Sequence, residues 1–265
     1  MDADLGDRKI IDELSREFPP VKDRAISAGE WVLSLGQHFL GTPYAAGTLD
    51  NEGPETLVIN LRKFDCFTFV ENIIALAQLL RSGRLSFDCY RETLACIRYH
   101  RGRLDGYASR LHYFSDWLFD NQRKGIVKNI SRTLGGQPFL KKIDFMTGHP
   151  DQYPALTDRG ICRQMQAVER RIQRRRFYYI PKASMRTIEN QIADGDLIAI
   201  TSLTEGLDVV HVGIACRVKQ RLHLLHASSH ANRVILSAET LERYLNESEN
   251  RTGIMVARLV EVVKP

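Results

Sequence analysis

The chain of 265 residues is long enough for one large domain or two small ones, and its 43% hydrophobic and 26% charged residues are typical of a globular protein. No apolar run approaches the roughly 20 residues that a helix needs to cross a bilayer, so we expect no integral membrane segment. The net charge of +5 and the pI of about 9.0 fit an anionic partner such as nucleic acid or a cell-wall polymer, but many proteins without such a partner share these values.

The first residues, MDADLGDRKIIDEL, are polar and acidic and lack the charged-then-apolar pattern of a signal peptide. Two interpretations therefore stay open. Either the protein remains in the cytoplasm, or a signal segment was removed and a start methionine was added.

The expected elements of the first two thirds of the chain are mostly helices. Apolar periodicity and stop signals predict helices over 7–18, 23–40, 66–81, 86–102 and 161–176, with a partly helical segment over 109–125. Gly41, Pro43 and Gly47 predict turns, and the alternating residues 55–64 predict a strand. Residues 129–160 carry few periodic signals, so we expect irregular chain there.

The pattern changes after Pro181. Short apolar runs rich in β-branched residues, separated by turns, predict strands over 195–202, 208–218, 221–228, 233–237 and 253–263. The whole predicts one α+β domain over residues 1–265 with an antiparallel sheet. Within it, helices at 1–40, a region around the Cys66 helix at 41–128 and an insertion with a basic helix at 129–180 precede the sheet at 181–265.

Five cysteines are too few and too scattered for a disulfide framework. The sequence contains no CxxC pair, so we expect no structural zinc site. Cys89 and Cys96 have the two-turn spacing of one helix face. Cys66 is different because it follows Asp65, a good N-cap, and so becomes the first residue of an apolar helix. The positive end of a helix favours a thiolate, and its free N–H groups can hold an oxyanion. Taken alone, the commoner role of such a thiol is that of a small buried hydrophobe.

A cysteine nucleophile needs a base, and His211 lies in the otherwise apolar run DVVHVGIA. Alone it fits a hydrogen-bonded core histidine equally well. The next apolar run, LLHASS, could supply the group that orients it. His223 and His226 are three residues apart and point to opposite faces of a strand. We expect His226, at the strand's end beside small residues, to be the one that faces His211.

Five segments in order, GTPYAAG, FDCFTFVE, GDLIAI, HVGIA and LLHAS, resemble the NlpC-type papain-like cysteine peptidases that cut bacterial cell wall. The variant DCFTFVEN and the inserted RLHYFSDWLFDN resemble the N-acetylmuramoyl-L-alanine amidase-like branch. The resemblance implies a papain-like fold, in which a helical first half packs its nucleophile helix on an antiparallel sheet or half-barrel. It also implies a periplasmic or secreted protein that needs no metal or cofactor.

The resemblance also assigns residues. Cys66 matches the nucleophile, His211 the general base and His226 the orienting residue. Tyr44 matches a tyrosine near the oxyanion site, beside the cap Asp65, although a packing aromatic in a turn is equally consistent with it. Phe67 and Thr68, which replace the commoner Ser-Gly, should reshape the rim of the pocket.

Three residues of the inserted segment are candidates for substrate binding on family grounds. They are Tyr113, Ser115 and Asp116, of which Asp116 would receive a free amino group of a muropeptide. The alternative is a helix with an aromatic core face, which we favour for Trp117.

The expected reaction is hydrolysis of an amide of peptidoglycan or a muropeptide, with the muramoyl–L-alanine bond favoured over the γ-D-glutamyl–diamino acid bond. The rival from another class is a non-catalytic module that binds cell wall or nucleic acid. Five arginines within 170–176 could contact an anionic polymer or form a solvated face. No nucleic-acid-binding motif accompanies them, so we expect no nucleic acid partner.

Overall fold

The computed structural model describes residues 2–18, 26–50 and 53–261, with side chains from residue 5 onward. Its helices are α1 (Asp2–Glu17), α2 (Ala28–His38), α3 (Cys66–Ser82), α4 (Phe87–Arg98), α5 (Phe114–Arg123), α6 (Phe145–Gly148), α7 (Arg159–Gln173), α8 (Met185–Ile188) and α9 (Leu241–Asn246). Its strands are β1 (Val127–Asn129), β2 (Gln137–Pro138), β3 (Tyr178–Pro181), β4 (Leu197–Ser202), β5 (Val209–Val218), β6 (Arg221–Ser228), β7 (Arg233–Thr240) and β8 (Arg251–Leu259).

The strands form one antiparallel sheet in the order β2-β3-β8-β4-β5-β6-β7, with β1 paired to β8. The run from β4 to β7 is a meander of sequential neighbours, and β8 returns to pair with the other edge of β4. The prediction of an α+β fold with an antiparallel sheet is confirmed. The sheet also takes in β1, β2 and β3, which precede the boundary predicted at Pro181.

The sheet is covered on both faces, which explains why β4 is buried along its whole length and apolar from Leu197 to Ile200. Leu197 and Ala199 belong to the larger core, which also includes α2 and α3, whereas Ile198 and Ile200 belong to a second core shared with α8 and α9. A strand buried on both faces has no polar side to alternate with.

Helix α3 packs against the sheet through β5 and β6 and lies between α2 and α4. It ends at Gly83, whose φ of 65° is the left-handed conformation that glycine adopts without strain. Helix α2 approaches β6 closely at Gly36, where an added Cβ would lie 2.7 Å from Cδ2 of Leu225. The first turn of α3 lies against β5, where the backbone N–H of Val212 contacts Cys66.

The predicted strand over 55–64 is wrong. This segment joins no strand, because side chains rather than a neighbouring strand satisfy its backbone. The amide of Leu61 donates to Asp7 at 2.9 Å, and Arg98 donates to the carbonyl of Val58 at 2.5 Å. Its one ladder contact is a bridge between residues 44 and 64.

Several bounds also differ from those predicted. The first helix starts earlier, at Asp2, and the helix expected over 86–102 ends at Arg98, before a turn in which Arg101 has a φ of 54°. Residues 23–25 of the second predicted helix and 262–263 of the last predicted strand lie outside the described residues. No helix in the described ranges is long and apolar enough to cross a membrane.

Candidate active site

The first turn of α3 is held by the cap that the sequence predicted. Oδ1 of Asp65 accepts hydrogen bonds from the amides of Phe67 at 3.0 Å and Thr68 at 2.7 Å, and Oγ1 of Thr68 accepts one from the amide of Asp65 at 2.9 Å. This reciprocal capping box satisfies N–H groups that the first turn would otherwise leave free. It fixes Cys66 as the first helical residue.

The thiol of Cys66 is half-buried and borders a cavity of about 150 Å³, whose wall also includes His211. Burial raises the pKa of the Cys66 thiol to about 12, and the negative charge of Asp65 adds to that rise. The backbone N–H groups of Val212, Cys66 and Phe67 act in the opposite direction. Desolvation therefore opposes the thiolate that the positive end of the helix favours.

His211 on β5 and His226 on β6 meet as expected. Nε2 of His211 lies 2.6 Å from Nδ1 of His226, and the two rings are nearly perpendicular, at 87°. Burial lowers the pKa of His211 to about 3 and that of His226 to about 4. Both rings are neutral at pH 7, so one proton lies between them.

The third histidine of the region, His223, points elsewhere. Its Nδ1 lies 2.9 Å from the carbonyl of Ser237 on β7. The opposite orientation of His223 and His226 on one strand is the geometry that their spacing predicts. Because Nε2 of His211 is occupied by His226, its Nδ1 is the nitrogen left for the cavity that it shares with Cys66.

Tyr44 lies in the turn that follows α2. Its amide donates to the carbonyl of Asn232 at 3.0 Å, and it forms a bridge with Phe64, just before the cap of α3. Burial raises the pKa of the Tyr44 hydroxyl, and the nearby Cys66 and Asp65 raise it further. The structure thus brings the phenol near the thiol.

The three candidates in the inserted segment are buried and bonded to the protein. Tyr113 donates to Glu169 at 2.8 Å and borders a second cavity of about 190 Å³. The amide of Ser115 donates to Asp208 at 2.7 Å. Contact with substrate stays a prediction for all of them, and Tyr113 is the one that reaches a cavity wall.

Asp116 is held between two basic side chains of the protein itself. Its carboxylate lies 2.5 Å from Nη1 of Arg175 and 3.1 Å from Nε2 of His100. Although burial opposes ionisation, these partners leave the pKa of Asp116 lowered. A carboxylate paired in this way has little capacity left for the amino group that the sequence suggested.

The second cavity shares Phe67, His112 and Leu207 with the cavity at Cys66, so the two cavities adjoin. His112 stays neutral, because burial and the charge of Arg110 lower its pKa well below the usual value, and its Nε2 lies 2.8 Å from the carbonyl of Tyr107. This histidine was not among the predicted site residues, although the apolar LHYF around it was a usable signal.

A buried ion pair also borders the second cavity. Nε of Arg98 lies 2.8 Å from Glu71, and their side chains are 2% and 1% exposed. A glutamate inside the apolar helix α3 was a signal that a buried cation lies opposite. In the basic helix α7, Arg170 and Arg171 are exposed, whereas Arg175, two residues after the end of the helix, is turned inward to Asp116. Among the described residues, no group of three His, Cys, Asp or Glu side chains could hold a metal ion.

Comparisons with known proteins identify relatives of the whole fold. The model of the N-acetylmuramoyl-L-alanine amidase-like family matches residues 34–254. A solved N-acetylmuramoyl-L-alanine amidase from Bacteroides uniformis is 36% identical, covers 88% of this chain and 99% of its own, and superposes with a TM-score of 0.85. A search of curated proteins gives no match.

Two further solved structures are similar. A Bacteroides fragilis protein described as a candidate xylanase is 36% identical, with 86% of this chain and 100% of that chain covered and a TM-score of 0.82. A Legionella pneumophila protein is 21% identical, with 98% and 95% covered and a TM-score of 0.72, and supports the fold alone.

Proposed function

The chain belongs to the N-acetylmuramoyl-L-alanine amidase-like family, and we propose that it is a papain-like cysteine hydrolase that cleaves the muramoyl–L-alanine amide of peptidoglycan or its fragments. The observation that carries this proposal is the hydrogen bond of 2.6 Å between Nε2 of His211 and Nδ1 of His226, beside the cavity that His211 shares with Cys66. A thiol, a base and a group that orients the base are the parts that nucleophilic catalysis needs.

The proposed reaction begins with both the thiol of Cys66 and the imidazole of His211 uncharged. Since the thiol pKa is raised and the pKa of His211 is lowered, Nδ1 of His211 takes the thiol proton as sulfur attacks the carbonyl carbon. The imidazolium that forms keeps its Nε2–H on Nδ1 of His226. Cys66 and His211 thus carry opposite charges only while the bond is being made.

The tetrahedral oxyanion forms at the first turn of α3. The backbone N–H of Cys66, at the positive end of the helix, is the proposed donor, with the hydroxyl of Tyr44 beside it. His211 then gives its proton to the leaving amine of L-alanine, which breaks the C–N bond and leaves a muramoyl thioester on Cys66. Water, deprotonated by His211, hydrolyses that thioester and restores the thiol.

The carboxylates around the two cavities favour amide over glycoside cleavage. A glycosidase needs two carboxyl groups facing each other across the scissile bond. Here Asp208 accepts hydrogen bonds from the amides of Ser115 at 2.7 Å and Val209 at 2.8 Å, and Asp65 caps α3. Glu71 is paired with Arg98. Each carboxylate already holds backbone or a cation.

A digest of muropeptides, read by mass spectrometry, tests the proposal. The muramoyl–L-alanine amidase releases intact stem peptides that begin with L-alanine. Release of the fragment that begins with the diamino acid would instead show the γ-D-glutamyl endopeptidase, with the same catalytic residues. Cys66→Ala should abolish cleavage, and Cys89→Ala, at a half-buried cysteine on α4, is the matched control that should retain it. No cleavage of either bond by the parent protein would overturn the proposal and favour a non-catalytic wall-binding module.

A further inference from the structure

A tyrosine and an arginine that the proposed mechanism does not use pack against the two histidines. The ring of Tyr244 on α9 lies 5.6 Å from that of His226 and 6.2 Å from that of His211, between centroids. Cζ of Arg251, the first residue of β8, lies 3.8 Å from the centroid of the Tyr244 ring. Its Nη1 donates to the carbonyl of Tyr244, which fixes the guanidinium over the ring.

The proposed reaction restricts where the protons of the two imidazoles can be. His211 must present an unprotonated Nδ1 to the thiol, so its proton is on Nε2. Nδ1 of His226, 2.6 Å away, must then accept that proton, which places the proton of His226 on its own Nε2. If His226 were cationic, its Nδ1–H would donate to His211 instead. That would move the proton of His211 to Nδ1, where it could no longer act as the base.

The surroundings of His226 disfavour a cation there. Its side chain is 2% exposed, and within the described part of the chain its Nε2 has no hydrogen-bond partner. A buried charged N–H without a partner is costly. Opposite His226 on β7 lies Ile235, which carries no charge. Titratable and charged groups near the two imidazoles include Cys66 on α3, Tyr244 on α9 and Arg251 on β8. Two further titratable side chains, Asp208 and His112, line the cavity that His211 shares with Cys66.

Arg251 acts on the two histidines unequally during the reaction. It forms no ion pair with a carboxylate in the described ranges, and its charge lowers the pKa of both imidazoles. The imidazolium of His211 is compensated by the thiolate that forms with it. In the described ranges His226 forms no ion pair with a carboxylate, so the positive charge of Arg251 opposes a second cation at His226 without such a counter-charge.

We propose that Arg251, held on the ring of Tyr244, is a positioning residue that opposes a second proton on His226 and so extends to lower pH the range in which Nδ1 of His226 accepts the proton of His211. This inference rests on the proposed function for its catalytic meaning, while the protonation state itself can be measured without substrate. Arg251 does not touch the reacting atoms and acts through His226.

The first experiment follows His226 by ¹⁵N NMR across pH, with the resonances assigned through His226→Gln. In the parent protein, Nε2 of His226 should carry the proton at pH 7. In Arg251→Gln, the midpoint of its titration should rise by about one pH unit, which is the size of the effect of one nearby charge. Arg251→Lys keeps the charge and should restore most of the parent midpoint. Arg243→Gln, which removes an exposed guanidinium from the same helix as Tyr244, should leave it unchanged.

The second experiment is the pH profile of kcat/KM on a soluble muropeptide. The acid limb of Arg251→Gln should move up by about one pH unit, with Arg251→Lys near the parent, whereas a merely structural defect would lower activity at every pH. A His226 protonated on Nδ1 at pH 7, or the same midpoint in Arg251→Gln and the parent, would overturn the inference. A shifted midpoint in a protein that cleaves no muropeptide would instead overturn the proposed function and leave the protonation state standing.

Discussion

Substitutions of Asp65, the N-cap of α3, can distinguish its effect on the stability of the helix from its effect on the reactivity of Cys66. Asp65→Asn keeps a side-chain oxygen that can accept the hydrogen bonds of the cap but removes the negative charge. Asp65→Ala removes both. In the structure, the carboxylate accepts hydrogen bonds from two amides, at 3.0 and 2.7 Å, and raises the pKa of the Cys66 thiol through its charge.

The expected magnitudes follow from these contacts. Loss of an N-cap costs about 1–2 kcal/mol, and loss of the charge alone at a helix N-terminus about 0.3–1 kcal/mol. Asp65→Ala should therefore lower Tm by about 2–6 °C and Asp65→Asn by about 1–3 °C. Both should lower the pKa of Cys66. A fall of about one unit raises the thiolate fraction at pH 8 roughly tenfold, and the weaker nucleophilicity of the more acidic thiol reduces the gain in alkylation rate to about threefold.

Urea unfolding and the rate of Cys66 alkylation by iodoacetamide, followed by peptide mass spectrometry, measure the two effects on the same samples. Thr68→Ser, which keeps a hydroxyl in the capping box and leaves the charge in place, is the control for the alkylation rate. An Asp65→Ala protein as stable as the parent would refute the cap. Slower alkylation in Asp65→Asn would refute the sign of the electrostatic effect.

Three further predictions concern the histidines and the buried ion pair. The folded-state pKa of His226 lies near 4, below its unfolded value. The free energy of unfolding should therefore fall by about 3 kcal/mol through this group as pH falls from about 6.5 to 4. Urea unfolding of His226→Gln should show a shallower pH dependence than that of the parent. Arg98→Met should cost about 3–5 kcal/mol in urea unfolding because it leaves the carboxyl of Glu71 buried without its cation. Adding Glu71→Leu should recover much of this loss, and equal stability of the two variants would contradict the pairing. His211→Ala should reduce kcat on a muropeptide by at least about 10²-fold with an unchanged circular dichroism spectrum, and a kcat close to that of the parent would contradict its role as the base.

The sequence predicted those parts of the site that depend on local rules. Asp65 is a cap because of its place before an apolar run, and the period of a strand separates His226 from His223. The bond between His211 and His226 needed only two neighbouring strands joined by a short turn. The α+β order of the chain followed from the change in pattern after Pro181.

Contacts between distant segments could not be predicted in this way. Arg251 meets the histidines through Tyr244, and nothing in the residues around it indicates that partner. The segment 55–64 has the alternation of a strand, but Asp7, far away on α1, takes one of its amides. The pKa of the Cys66 thiol depends on two opposing effects, the positive end of the helix and desolvation by burial. The extent of burial is a property of the packed structure and could not be read from the sequence.

The central claim, that Cys66 is the nucleophile of an amidase, is tested most directly by alkylating the protein with iodoacetamide in steps. At each step, the residual release of stem peptide from a muropeptide is compared with the modified fraction of each cysteine by peptide mass spectrometry. If Cys66 is the nucleophile, activity falls in proportion to modification of Cys66 and reaches zero when that residue is fully modified. Full activity with Cys66 completely alkylated, or a loss that follows another cysteine, would contradict it.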